Sequence, residues 1–378
     1  MDTTAIEAAT AAQPAAEAAL RAALRAGPGH AYLFAGPRGT GKAATARAFA
    51  AELLAVGAAD PVDSRRRALA VPSPHPDLTW LTPPGNQHLV EEIRERVISA
   101  ADYRPFEAGC RIFVIEAAEA MAEESQNALL KTLEEPKRFA HFLLLAAEPQ
   151  LLLETVRSRC QPVRFAALGA VEIEARLRSE GFELGFGELT ALARLCGGDL
   201  ERARFLATAP GRELRAAAEA CARASCSGEL GDSPWLGLLE IAKSAGETAG
   251  RQAEDAIRAR AEESGDPRLA ARIERDALDF AKRTTRKRRT ELLDLGLALI
   301  TSWLRDTIAH AEGAPHLALN SDRSVELAAG VARFPLPRGT AAIGLVERTR
   351  RALRVNVGEE LALEALCLRL ARGLATVR

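Results

Sequence analysis

Gly36-Pro37-Arg38-Gly39-Thr40-Gly41-Lys42 has the residue types and spacing of a loop that cradles phosphate. Glycines let backbone N–H groups turn inward around an anion, the lysine adds a positive charge, and a helix starting here would point its positive end the same way. The pattern Gly-x-x-x-x-Gly-Lys arises by chance in about one chain in ten of this length, so its surroundings must carry the reading. The next position, where a Ser or Thr hydroxyl would bind Mg²⁺, is Ala43. Thr45 lies two residues further round and cannot stand in for it. A second position with chemical potential is Glu116, the acid that ends the run Arg111-Ile112-Phe113-Val114-Ile115. Phosphoryl-transfer sites place a metal-binding acid at such a strand end. A solvated strand-end carboxylate explains Glu116 equally well.

The elements around these residues are readable. His30 to Ala35 is a short apolar run, and Ala46, Phe49, Ala50, Leu53 and Leu54 recur at helical spacing after the loop. The order strand, glycine-rich loop, helix is the one a phosphate cradle needs. Ala16 to Arg25 reads as an earlier helix stopped by Gly27-Pro28-Gly29. Asp60 to Arg67 and the prolines that follow read as a surface connection. Leu78 to Leu81, Arg111 to Glu116, Phe142 to Ala147 and Val163 to Phe165 read as strands. Leu89, Ile93 and Val97 mark one helix between them, and Ser125 to Glu135 marks another. Continuous apolar strands alternating with helices predict a parallel sheet covered on both faces. Beyond Ala166 the strand signals stop. Three short helices are expected over 171–178, 188–195 and 200–206, then helices to the end, including a long one from Leu269 to His310. Loops are expected around 313–323 and 334–339.

The chain has 378 residues, 48% of them hydrophobic, enough for two or three domains. Its net charge of −1 gives no global attraction to DNA or to an anionic membrane. The densest basic run, Lys282 to Arg289, has no interleaved aromatics and reads as a solvated helix face before it reads as a DNA contact. No stretch approaches the roughly 20 apolar residues of a membrane span. The first residues lack a basic start followed by an apolar run, so a cytoplasmic protein is expected. The cysteines at 110, 160, 196, 221, 226 and 367 form no Cys-x-x-Cys pair and never cluster with histidine. Free buried thiols are expected, and no metal site.

Several segments together resemble one family. Glu116-Ala117-Ala118-Glu119 stands where the clamp-loader branch of the AAA+ family ends a strand in Asp-Glu-Ala and then an acid or His. Ser125-Gln126-Asn127 through Leu130-Lys131 to Glu135-Pro136 is similar to that family's central helix, and Ser158-Arg159-Cys160 to its Ser-Arg-Cys motif. His75-Pro76-Asp77-Leu78 and the tail from Arg348 through Asn356-Val357 to Glu364 are similar to the delta-prime family of bacterial clamp-loader subunits. The four-cysteine zinc module that many of those relatives hold before His-Pro-Asp is missing here. The likeness is strongest from His30 to Phe165 and weak from 211 to 268.

The resemblance implies an α/β fold: a P-loop AAA+ parallel-sheet base over 1–166, a three-helix lid over 167–210 and an all-helical C-terminal collar over 211–378. It implies nucleotide contacts at Gly36, Gly39, Thr40, Gly41, Lys42 and Glu116. It implies that Arg159 acts in trans, on the ATP site of a neighbouring subunit, where an always-charged guanidinium suits phosphate. Arg202 matches the lid arginine, or is an exposed helix arginine. The water-activating acid has become Ala117, and the polar sensor after Leu143-Leu144-Leu145 has become Ala146-Ala147. With Ala43 and Glu116, that leaves four parts of a hydrolysis site altered. The expected function is a non-hydrolysing clamp-loader subunit with no required cofactor and only weak ATP or ADP binding. The implied partners are tau/gamma and delta subunits, with the sliding clamp and primed DNA reached through the complex, and no membrane. The alternative is an active AAA+ ATPase, either the loader's motor subunit or a remodelling factor. An independent DNA-binding protein fits least.

Overall fold

The computed structural model describes residues 4–71, 73–83, 85, 87–263, 267–331, 336–353 and 357–374. The chain divides into two compact units, Met1–Glu172 with Gly198–Glu201, and Ile173–Gly197 with Arg202–Arg378.

The first unit contains α1 (Thr4–Thr10), α2 (Pro14–Ala26), β1 (Ala31–Ala35), α3 (Lys42–Ala55), α4 (Pro61–Leu69), β2 (Leu78–Leu81), α5 (Val90–Ile93), β3 (Arg111–Ile115), α6 (Glu123–Glu134), β4 (Ala140–Ala146), α7 (Glu154–Arg157) and β5 (Gln161–Arg164). The five strands form one sheet in the order β2-β3-β4-β1-β5, every neighbour parallel. Side chains alternate across it. Tyr32, Phe34, Ile112, Val114, Leu143 and Leu145 pack on one face with Phe49 and Leu54 of α3. Leu33, Phe113, Ile115, Phe142 and Leu144 pack on the other with Ile93 of α5 and Leu129 of α6. With both faces covered, polar residues in β3 and β4 are confined to their first two positions, Arg111 and His141, and the rest reads as an apolar run.

Two local features go beyond the sequence reading. The stretch Asp60 to Arg67 is the helix α4 and not a surface connection. Asp60 caps it, its carboxylate accepting from the N–H groups of Val62 and Asp63 at 3.0 Å each, and Pro61 presets the first turn. Ser64 and Ala68 face inward, and Arg65 reaches the fully buried Glu52 through two hydrogen bonds. The second feature is α1, whose Ile6 is fully buried in the same core as Phe49.

The His75-Pro76-Asp77 segment has a structural role. The Asp77 N–H donates to His75 Nδ1 at 3.1 Å, which leaves the proton of the neutral ring on Nε2, 3.0 Å from Ser64 Oγ. Burial lowers the His75 pKa and favours that neutral ring. The buried Asp77 carboxylate accepts from the backbone N–H groups of Phe106, Glu107 and Ala108 at 2.7, 3.0 and 3.0 Å. It thereby fixes the turn that feeds β3.

The helices after β5 are α8 (Ala170–Ser179), α9 (Phe186–Leu195), α10 (Leu200–Ala207), α11 (Ala209–Ser227), α12 (Trp235–Glu263), α13 (Pro267–Ala311), α14 (Ser324–Val331), α15 (Leu336–Leu353) and α16 (Glu359–Leu374). Part of the loop expected around 334–339 is helix, since α15 begins at Leu336, and a proline in a first turn is compatible with helix. Phe334 and Pro335 lie outside the described residues, as does Asn356 of the tail motif. A buried polar cluster ties α11 to α13. Arg215 donates to Asp322 at 2.7 and 2.9 Å, and Asp306 accepts from the Asn320 N–H at 2.7 Å. The basic run of α13 is partly spent within the unit: Arg289 pairs with Glu359, and the Arg288 guanidinium lies 5.1 Å from the Phe205 ring centre. All six cysteines are free; five are buried and Cys226 is half-buried. Burial pushes the thiols of Cys110 and Cys160 up to about 12, far from reactive thiolate. Among the described residues no helix is long and apolar enough to cross a membrane.

Candidate functional site

The phosphate loop grows directly out of β1. Gly36 N–H donates to the Ala146 carbonyl at 3.2 Å, tying the loop's base to the end of β4. A side chain at Gly36 would place Cβ 2.1 Å from the Phe165 carbonyl oxygen. Gly39 has φ +66°, and a Cβ there would sit 1.8 Å from Asp199 Oδ1. These contacts require glycine for close approach. Thr40 is buried and donates to the Pro37 carbonyl at 2.8 Å. Gly41, at φ +91°, is the N-cap of α3, whose first residue is Lys42.

Lys42 Nζ donates to the carbonyls of Gly36 and Pro37 at 2.6 and 2.5 Å. Burial lowers its pKa to about 8, with Glu119, Asp199 and Glu116 pulling it back up. The sequence reading brought Gly36, Gly39, Thr40, Gly41 and Lys42 together as one loop, and they form one. Thr45 is fully buried, and its hydroxyl donates to the Ala9 carbonyl at 3.3 Å. It cannot supply the hydroxyl that Ala43 lacks.

Glu116 follows β3, and its carboxylate is already engaged. Oε2 accepts from Trp80 Nε1 at 3.2 Å and from Thr82 Oγ1 at 3.0 Å, while His88 Nε2 donates to the Glu116 carbonyl at 2.7 Å. Ala117 holds φ +49°, ψ +54°, a left-handed conformation uncommon for a residue with a Cβ and typical of strained functional turns. Glu119 Oε1 accepts from the Ala147 N–H at 2.9 Å. It therefore bridges the end of β3 to the end of β4. The donor set fits a phosphate: turned-in loop glycines, a lysine and a helix N-terminus. It does not fit Mg²⁺, because the hydroxyl is missing and the nearest acid is hydrogen-bonded by an indole and a threonine.

Sequence reasoning missed Trp80, Thr82, Arg47 and Asp199. The Arg47 guanidinium lies 4.1 Å from the Trp80 ring centre, and its Nη1 donates to the Ala70 carbonyl at 2.9 Å. The signals were available in principle. Arg47 is four residues after Ala43 on one helix face. Thr82 follows β2 as Glu116 follows β3, and these strands pair in register, Leu81 beside Ile115.

Arg159 lies elsewhere. It follows α7 and precedes β5, whose Gln161 pairs with Tyr32 near the start of β1. It is thus at the N-terminal edge of the parallel sheet, and the phosphate loop is at the C-terminal edge. A strand of four or five residues separates those edges by about 13–17 Å. Arg202 belongs to the second unit, on α10.

Residues 12–169 match the family model described as DNA polymerase III, delta subunit. The chain is 35% identical over 153 residues to DNA polymerase III subunit delta' of Bacillus subtilis, covering 39% of this chain and 45% of that protein. It is 37% identical over 138 residues to subunit delta' of Pseudomonas aeruginosa, covering 35% and 41%. Residues 12–169 are thus similar to a domain of DNA polymerase III subunits. The same domain is 35% identical over 151 residues to subunit tau/gamma of Haemophilus influenzae, covering 39% of this chain and 22% of that protein. The chain spans less than half the length of the curated relatives it matches. The parallel sheet, the phosphate loop and the Ser158-Arg159-Cys160 turn all lie inside the matched residues.

Proposed function

We propose that this chain is a non-hydrolysing subunit of a bacterial clamp loader. In this reading it sits beside an ATP-hydrolysing tau/gamma subunit and a delta subunit in the cytoplasm, as a base, a lid and a collar. Through that complex it helps place a sliding clamp on primed DNA. Its own loop binds ATP or ADP weakly and needs no cofactor. Arg159 serves the neighbour's site, and Arg202 is the lid arginine.

One observation carries the reading. The strand-end acid that should hold a metal is bound instead by Trp80 and Thr82, beside Ala43 and Ala117. Neither the metal nor the attacking water has its protein partner. The position of Arg159, at the sheet edge opposite the chain's own phosphate loop, supports action in trans.

An active ATPase is the second reading. The intact Lys42 and the similarity to tau/gamma favour it. ATP turnover by the isolated chain separates the two. We expect none; turnover near 1 s⁻¹ or faster that Lys42→Ala abolishes would establish the second reading. Co-purification of tau/gamma and delta from cells expressing the tagged chain tests the partners.

A further inference from the structure

Arg159 is held by its own domain. Its Nη1 donates to the Thr155 carbonyl at 2.8 Å and lies 3.5 Å from Ser158 Oγ, and its Nη2 is ion-paired with Glu134. Glu134 is the last residue of α6, and Glu135 caps that helix. An acid at a helix C-terminus faces the negative end of the dipole. Arg159 relieves that conflict. The two side chains are 32% and 48% exposed, so the pair is accessible and breakable.

The other end of α6 is tied to the same segment. Gln126 Nε2 donates to the Met121 carbonyl at 3.0 Å, and its Oε1 accepts from the Leu153 N–H at 2.8 Å, one residue before α7. The helix thus grips the arginine's segment at both ends, by an amide at its start and a carboxylate at its finish.

We propose that Glu134 is a positioning residue that holds Arg159 back from the neighbouring nucleotide, and that a shift of α6 releases it. This rests on the reading of Arg159 as a residue acting in trans. The electrostatics are direct. A guanidinium paired to a carboxylate is neutralised, and a carboxylate left beside a triphosphate would repel it. Glu134 and the phosphate therefore compete for one cation. While the pair persists, the neighbour's site lacks the positive charge that stabilises its transition state.

The test is steady-state ATP hydrolysis by the reconstituted complex of full chains, with and without primed DNA. An exposed pair of this kind corresponds to about 2–5-fold in population. Glu134→Gln is expected to raise the DNA-free rate by about that factor, with the KM for ATP unchanged and the DNA-stimulated rate little altered. Glu134→Asp, which keeps the charge, should stay near the parent. In an Arg159→Ala background Glu134→Gln should have no effect, which a general structural disturbance would not reproduce. Circular dichroism checks that each variant folds. If Glu134→Gln is at or below the parent rate while Arg159→Ala lowers it, the holding role is wrong and the finger reading stands. If the rise persists in the Arg159→Ala background, the holding role is likewise wrong. If Arg159→Ala alone changes nothing, the finger reading falls and takes this proposal with it.

Discussion

Lys42 sits in a loop shaped for phosphate, while residue 43 offers no hydroxyl and Glu116 is engaged by other side chains. Its ammonium is buried against the carbonyls of Gly36 and Pro37, and burial lowers its pKa to about 8. Below that value the lysine is charged and attracts phosphate; above it the charge is lost. Calorimetry with ADP should therefore show affinity falling as pH rises from 7 to 9.5. A flat profile would mean that Lys42 is not the phosphate contact. The same experiment with and without Mg²⁺ should differ little, since Glu116 is bound by Trp80 and Thr82 and residue 43 has no hydroxyl. Tight binding abolished by a chelator would show that Glu116 still organises a metal. The substitutions themselves were legible in the sequence, because a motif position is a fixed offset. The partners of Glu116 were not. Trp80 and Thr82 lie 36 and 34 residues away in the chain, and only the parallel register of β2 and β3 brings them to the carboxylate.

Elements were legible where burial alone decided them. The inner strands β1, β3 and β4 lie between two helical layers, and their apolar runs announced it. Elements decided by local polar chemistry were harder to read. α4 carries three arginines and looked like a surface link; its existence depends on Asp60 as a cap and on Arg65 meeting the buried Glu52. The meaning of His75-Pro76-Asp77 was also hidden, because the backbone groups it holds are about 30 residues further on. That motif yields a stability prediction. Asp77→Ala removes the acceptor for three backbone N–H groups, and should destabilise the folded protein by about 2–4 kcal/mol. Urea denaturation measures it. A loss under about 0.5 kcal/mol, the range of an ordinary surface substitution, would show that the turn before β3 is held by something else.

At the scale of the molecule, the division of labour follows from a parallel sheet having two unlike edges. The C-terminal edge builds the phosphate loop, where helix N-termini and turned-in amides favour an anion. The N-terminal edge carries Arg159, out of reach of its own loop. In the proposed reading an arginine so placed serves a second nucleotide, which only an assembly supplies. Replacing it should leave folding and assembly nearly intact, since an exposed ion pair contributes about 0–1 kcal/mol. An arginine finger supplied in trans is worth about 10³–10⁵ in rate at the site it serves. The most direct measurement compares Arg159→Ala and Arg159→Lys with the parent in the reconstituted complex, following DNA-stimulated ATP hydrolysis and clamp loading. The expected result is normal assembly, a large loss of hydrolysis at the one dependent site with Ala, and partial recovery with Lys, which keeps the charge but not the planar fork. Variants that assemble, hydrolyse and load clamps like the parent would contradict the account.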